Sequence, residues 1–230
     1  MIKEITVAGI KLNNYNAIEN LTKIGRNLDK NVFTTIEEIY MKTLLAAKEN
    51  EVVKNTIEST DVTIIAETGI LDAVGENTIL RRREIERREF FFQLMKLLER
   101  NSYTIYLIGA TTKEIEEACQ YLNDEFSRLR IIGRKALEEN EGAIESVINE
   151  INMEAPDVII SILPTPEQES FLADHRSMLS AKLWYGIGAN KIAGRKLTLG
   201  ARIMKKVREK KLKLYIEEQA SLDEDVEREE

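Results

Sequence analysis

Residues 156–172 read PDVIISILPTPEQESFL. From Val158 to Leu163 the run is apolar and β-branched, broken only by Ser161. Such a run reads as a strand buried on both faces. Pro164 and Pro166 then bracket a threonine, and a helical pattern starts at once. Thr165 suits an N-cap, Pro166 the first helical position and Gln168 the third, so the spacing predicts a capping box. Glu167 and Glu169 in that first turn suit the positive end of the helix dipole. A buried strand turning directly into a helix is the repeating unit of an α/β protein.

Outward from this junction the same unit recurs. KEITVAGIKL reads as a first strand, and NYNAIENLTKIGRNL places Ile18, Leu21, Ile24 and Leu28 on one helix face. NVFTT reads as a short strand followed by a helix through IEEIYMKTLLAAKENEVVKNTI. DVTIIAETG reads as a strand ending in a glycine turn, and REIERREFFFQLMKLLER as a helix. SYTIYLIGA, LRIIG and AKLWYGIG are further strands, separated by helical patterns in TTKEIEEACQYLNDEF, NEGAIESVINEINM and PEQESFLADHRSML. This alternation predicts one Rossmann-like α/β domain, with a mostly parallel sheet covered by helices. It is assigned to residues 1–195. A basic C-terminal helical appendage is assigned to 196–220 and an acidic tail, disordered or a frayed helix end, to 221–230.

The composition narrows the chemistry. Net charge is −7 over 230 residues, which argues against nucleic acid as a partner. With one cysteine (Cys119) and one histidine (His175), neither an intrachain disulfide nor a Cys/His zinc site is available. The chain fits a reducing cytoplasm, no metal or other cofactor is expected, and no apolar run is long enough to span a bilayer. Cys119 and His175 read as ordinary helix residues.

In a parallel α/β sheet, ligands gather at the carboxyl ends of the strands. The loops assigned there are Thr34–Glu38, Ala66–Gly75, Gly109–Thr112, Gly133–Lys135, Leu163–Gln168 and Gly186–Gly194. Gln168 has two readings, a cap or a ligand contact. Thr111 and Glu114 in ATTKEIEEA form a second capping pattern. Gly186, Gly188 and Gly194 follow a strand, where backbone can approach a ligand closely, or they form a sterically relaxed turn. Glu67, Thr68 and Asp72 follow another strand, as a general base or as a solvated turn. The block from Arg81 to Glu89 could clamp a diphosphate or form a solvated, ion-paired helix face. In GARIMKKVREKKLKLYIEEQ, Arg202, Lys205, Lys206, Arg208, Lys210, Lys211 and Lys213 interleave with aliphatic residues, as in a helix lying on anionic lipid or docking on its own domain.

Taken together these junctions resemble the WecG/TagA/CpsF family of bacterial glycosyltransferases, over most of the chain. PDVIISILPTPEQESFL is similar to a family segment ending in Pro-Lys-Gln-Glu, matched at Pro166, Gln168 and Glu169. WYGIGANKIAG is similar to its glycine motif, matched at Gly186, Gly188, Ala193 and Gly194. YTIYLIGATTKEIEEACQYL, with Gly109, is similar to its strand–glycine–helix unit. The stretch from NVFTT, with Thr34 and Thr35, to AETGI resembles the segment from its threonine strand to its Asp-Gly turn. The departures are specific. Thr68 precedes Gly69 where the family has Asp, and Glu67 is the nearest carboxylate. Glu167 replaces the Lys, Ile36 or Glu37 stands for the Asn, and Ile162 and Pro164 replace a Gly-x-Gly. Asn190 and Lys191 stand where the glycine motif has an Asp.

The resemblance implies transfer of an N-acetylhexosamine from a UDP-sugar donor to a polyprenyl-diphosphate-linked acceptor, in cell-envelope polysaccharide synthesis. Glu67, or else Asp72, would be the base. Thr34, Thr35, Thr68, Gly109, Gln168, Gly186, Gly188 and Arg202 would contact substrate. The protein would be cytoplasmic, with peripheral contact at the inner membrane face through the basic stretch. Self-association is left open, and so is the alternative of a binding or scaffold protein that keeps the fold without the chemistry.

Overall fold

The computed structural model describes residues 3–140, 142–189, 192 and 199–229. The chain opens with an antiparallel hairpin, β1 (Glu4–Val7) and β2 (Ile10–Asn13), rather than the single strand read from KEITVAGIKL. Its two-residue turn is Ala8-Gly9, both at positive φ (54° and 74°), which matches the twist of paired strands. The helix α1 (Ala17–Asp29) follows, with Asn16 and Glu19 forming a reciprocal capping box. Ile24 and Leu28 are buried on it, but Ile18 is 68% exposed, because Ala17 and Asn20 take the inward positions instead.

The strand β3 spans Thr34–Ile39, and every residue of it is buried. The sequence pattern predicts a helix from Ile36, whereas Glu37 and Glu38 lie inside the strand. The helices α2 (Met41–Glu49) and α3 (Glu51–Ser59) carry the chain to β4 (Val62–Ile65). The expected glycine turn after β4 is instead the start of α4 (Thr68–Ala73). The single helix expected over 83–100 is two, α5 (Ile79–Glu86) and α6 (Glu89–Arg100), broken at Arg88 in the left-handed region (φ 53°). Then come β5 (Thr104–Gly109), α7 (Thr112–Glu125), β6 (Arg130–Ala136), α8 (Ile144–Glu154), β7 (Val158–Ser161), α9 (Glu167–His175), β8 (Leu183–Gly186) and α10 (Leu199–Glu229). The loop assigned to Gly133–Lys135 lies inside β6. The helix α10 continues through the segment read as an acidic tail.

The six strands pair in parallel in the order β4-β3-β8-β7-β5-β6. This is a Rossmann-like α/β sheet with both faces covered. One face packs Ile36, Ile160, Leu183 and Tyr185 against α1, α6 and α7. The other packs Ile159, Ile108 and Trp184 against α8 and α9. A third apolar cluster joins the hairpin, α2, α3, α4 and α10 over Ile39 and Ile65. The hairpin also shields the β4 edge, where Asn13 and Thr63 exchange two hydrogen bonds (2.7 and 3.2 Å). Cys119 is buried on α7, and His175 lies edge-on to Phe171 at 5.0 Å. No helix among the described residues is long and apolar enough to cross a membrane.

The helices α2, α4 and α9, which follow β3, β4 and β7, lie on one face of the sheet, and α7, which follows β5, lies on the other. The segments after β3, β4, β7 and β8 leave a crevice between them at the carboxyl edge.

Candidate functional site at the carboxyl edge

A cleft of about 80 Å³ lies in that crevice. Tyr40, Lys42 and Thr43 reach it from the end of β3, Glu67 from β4, Pro164 and Thr165 from β7, Gly188 and Ala189 from β8, and Arg208 from α10. One carboxylate and two cations thus face a common space. The Oε2 of Glu67 accepts from the Met41 backbone N–H at 2.8 Å, at the first residue of α2. Its other oxygen makes no hydrogen bond among the described residues. Lys42 donates to the Thr165 carbonyl at 3.3 Å, which ties the β3 and β7 loops together across the cleft.

Directly behind the cleft is a buried polar network. Gly188 donates its backbone N–H to Gln168 Oε1 at 3.1 Å. An N–H can only donate, so the amide oxygen of Gln168 faces Gly188 and its nitrogen faces inward. That nitrogen donates to Glu37 Oε2 at 2.5 Å, and the indole N–H of Trp184 donates to Glu37 Oε1 at 2.8 Å. Burial pushes the Glu37 carboxyl well above its usual range, neighbouring Glu169 adds to the effect, and the two donors oppose it. Gly186 makes the network possible. A Cβ at that position would land on Glu37 Oε2 and Gln168 Nε2. Gly188 has φ 83°, a conformation that side chains resist.

On the opposite face of β3, Glu38 accepts from the phenols of Tyr40 and Tyr185. Burial and the adjacent Glu38 push both phenols well above their usual range. Arg88 approaches from the α5–α6 break. It donates to the Ile192 carbonyl at 2.8 Å, which ties that break to the loop after β8. Glu169, one residue beyond Gln168, accepts from Thr165 Oγ1 at 3.0 Å, while its second oxygen is buried without a partner. Burial raises its pKa, with Thr165 and Lys42 opposing.

The residues singled out in the sequence fall in several places. Glu67 lines the cleft, and Gly188 lines it with Gly186 and Gln168 behind. Gln168 occupies the first turn of α9, but the predicted capping box is absent. Pro166 is the N-cap, Gln168 N–H bonds Pro164, and Thr165 spends its hydroxyl on Glu169. Thr111 does cap α7, accepting from Glu114 N–H at 3.3 Å. Thr68 is buried as the first residue of α4. Gly109 ends β5, packed so closely that a Cβ would come within 2.8 Å of Ile162. Thr34 and Thr35 lie at the amino end of β3, away from the cleft, because the strand runs on to Ile39. Thr34 bonds Asn27 at 3.0 Å, and the hydroxyl and N–H of Thr35 both bond Asp61 at 2.8 Å. Asp72 is exposed on α4, paired with Arg82 at 3.0 Å. Arg81 is buried against Glu84 at 2.8 Å. Glu167 is exposed at the start of α9. The side chain of Arg202, and residues Asn190, Lys191, Ala193 and Gly194, lie outside the described part.

The sequence places Glu37 and Glu38 only inside the candidate loop Thr34–Glu38, with no role of their own; it does not single out Tyr40, and it counts Arg208 only as one basic residue among seven. The donors to Glu37 (Gln168 and Trp184) and the Tyr185 donor to Glu38 stand more than 120 residues away, so no local spacing marks these contacts.

A search of curated proteins finds no individual match to this chain. A profile of the glycosyl transferase WecG/TagA/CpsF family matches residues 5–205. That match runs from the hairpin through the whole parallel sheet into α10, and takes in every strand end that lines the cleft. The chain is therefore a member of the WecG/TagA/CpsF family of glycosyl transferases.

Proposed function

We propose that the protein transfers an N-acetylhexosamine from a UDP-sugar to a polyprenyl-diphosphate-linked acceptor of cell-envelope polysaccharide synthesis. The supporting observation is the pairing, in one cleft at the carboxyl edge, of a carboxylate with a free oxygen (Glu67) and two cations (Lys42 and Arg208). Glu67 takes the proton of the acceptor hydroxyl as that oxygen attacks the anomeric carbon. The bond from that carbon to the UDP oxygen breaks, and negative charge grows on the leaving diphosphate. Lys42 and Arg208, joined by other cations of the C-terminal stretch such as Arg202, stabilise that charge. No metal is required in this scheme. The Gly186–Gly188 backbone, held by Gln168 and Glu37, forms the donor-side wall. The donor contacts proposed from the sequence then reduce to this wall, with Thr68 and Gly109 fixing the neighbouring strand ends.

A second reading has its own support. Gln168 is only 2% exposed, both ends of its amide are engaged inside the protein, and Glu67 already caps α2. A relative that kept the fold as a binding or scaffold protein would look like this. Calorimetric titration with UDP and UDP-N-acetylhexosamines, followed by single-turnover transfer to a polyprenyl-diphosphate-linked acceptor analogue, separates the two. Binding with transfer is expected. Silence at millimolar donor, or binding without transfer, would establish the scaffold.

A further inference from the structure

The start of α5 carries an exposed apolar tip that nothing among the described residues covers. Ile79 is 80% exposed and its neighbour Leu80 is 76% exposed. Vicinal aliphatic side chains this open are unlike the scattered apolar residues of an ordinary surface. Arg83 and Arg87 follow Ile79 at i+4 and i+8, on the same helix face. Both are exposed and make no ion pair among the described residues. The acidic neighbours are largely committed elsewhere. Asp72 and Glu86 both pair with Arg82, at 3.0 and 3.8 Å, and Glu84 is held by buried Arg81 at 2.8 Å. Glu76, just before the tip, and Glu89, two residues after Arg87, are the nearby carboxylates without an ion pair among the described residues. On a chain of net charge −7, the tip therefore presents two apolar side chains and two uncommitted guanidinium groups together.

From this juxtaposition we infer that the tip of α5 docks on an anionic lipid surface, with Ile79 and Leu80 entering the acyl boundary and Arg83 and Arg87 meeting headgroup phosphates. A protein partner fits less well. Two side chains supply a small part of the roughly 800 Å² per partner that a stable protein interface needs. An acyl boundary needs only a wedge about 5–10 Å deep. Arginine is also the side chain whose planar fork suits phosphate best. The tip is distinct from the basic C-terminal stretch, yet α4, which begins beside Glu67, packs against both α5 and α10. The inference is independent of the transfer chemistry proposed above.

The test is co-sedimentation of the full chain with phosphatidylglycerol–phosphatidylcholine vesicles and with phosphatidylcholine alone, in the absence of any donor or acceptor. The wild type is expected to prefer the anionic vesicles. Ile79→Ser with Leu80→Ser should lower partitioning about tenfold or more. Arg83→Glu with Arg87→Glu should lower it comparably and remove the preference for anionic lipid. These side chains are exposed, so both variants should keep the wild-type circular dichroism and melting temperature. Wild-type partitioning by the Ile79/Leu80 variant would overturn the inference, even if substitutions on α10 abolish binding. So would sedimentation data in which the wild type is a dimer and that variant a monomer, since the tip would then be a contact between copies.

Discussion

A carboxylate in the middle of a central strand must find its donors elsewhere in the chain, and Glu37 finds two, on α9 and β8. The space for that arrangement comes from Gly186. Gly186→Ala should therefore cost about 1–3 kcal/mol, as overpacking of a filled interior does. A urea titration reads it as a lower midpoint with an unchanged slope. A midpoint equal to wild type would mean that Glu37 and Gln168 do not hold each other in solution. At the cleft surface the expectation concerns activity instead. Glu67→Gln keeps an acceptor for Met41 N–H but removes the base, so transfer should fall about 10²–10⁴-fold while donor affinity barely moves. A variant as fast as wild type would leave Glu67 as only a helix cap. Gln168, Gly186, Gly188 and Glu67 were legible in the sequence because each stands at a strand–helix junction with turn or capping chemistry of its own. Glu37 was not. Thr34-x-x-Glu37 and Thr35-x-x-Glu38 each imitate a capping box, so two buried strand glutamates read as the acidic first turn of a helix.

At the level of elements the same competition between local signal and tertiary context recurs. The hairpin turn is Ala-Gly rather than Asn-Gly, so KEITVAGIKL looked continuous. Its break shows only where β2 folds back over the β4 edge. The break between α5 and α6 contains neither proline nor glycine. Arg88 takes a left-handed conformation there and reaches the Ile192 carbonyl, a reason that lies over a hundred residues downstream. The strongly patterned elements, β5, β7, α7 and α9, were legible because apolar runs and helical spacing agreed with burial. For α10 the sequence offered two readings, a helix on anionic lipid or one docked on its own domain, and the structure shows the docked face. Leu212 is fully buried against the hairpin–α2 cluster with Tyr215 and Ile216 beside it, and Lys48 pairs with Glu218 at 2.9 Å. The Met204, Val207 and Leu214 side chains remain exposed. Leu212→Ala should remove about 2–4 kcal/mol from this docking, the cost of a large-to-small change in a packed site. Among the described side chains of α10 only Leu212 is fully buried, so the loss should appear locally. Hydrogen exchange should accelerate across α10 while β5, β7 and β8 keep their protection. Uniform acceleration through the sheet would instead make α10 part of the cooperative core.

For the molecule as a whole, buried and half-buried carboxylates set the direction in which stability depends on pH. Asp157 has a lowered pKa. Burial works against this, but the Thr104 backbone N–H and Lys182 outweigh it. Its contribution is present above its unfolded value and is lost as pH falls through the folded one. Glu37 and Glu169 are raised, chiefly by burial. In the unfolded chain both ionise near pH 4.3, whereas the folded protein resists their ionisation. Their contribution is therefore full below about pH 4.3 and declines as pH rises through the folded values. Self-repulsion from a net charge of −7 acts in the same direction at neutral pH. The melting temperature should accordingly be higher near pH 5 than near pH 8. Glu37→Gln should flatten that slope. Trp184 and Gln168 donate to different oxygens of Glu37, and the amide nitrogen that replaces one of them cannot accept, so the variant should also be less stable at every pH, by about 1–3 kcal/mol for a buried donor left unmatched. The slope and not the level therefore carries the test. Calorimetric melts of both proteins from pH 5 to pH 8 decide it. A wild type that gains stability toward pH 8, or a Glu37→Gln variant with an undiminished slope, would show that Glu37 is ionised in the fold. Its two donors would then outweigh the cost of burying it.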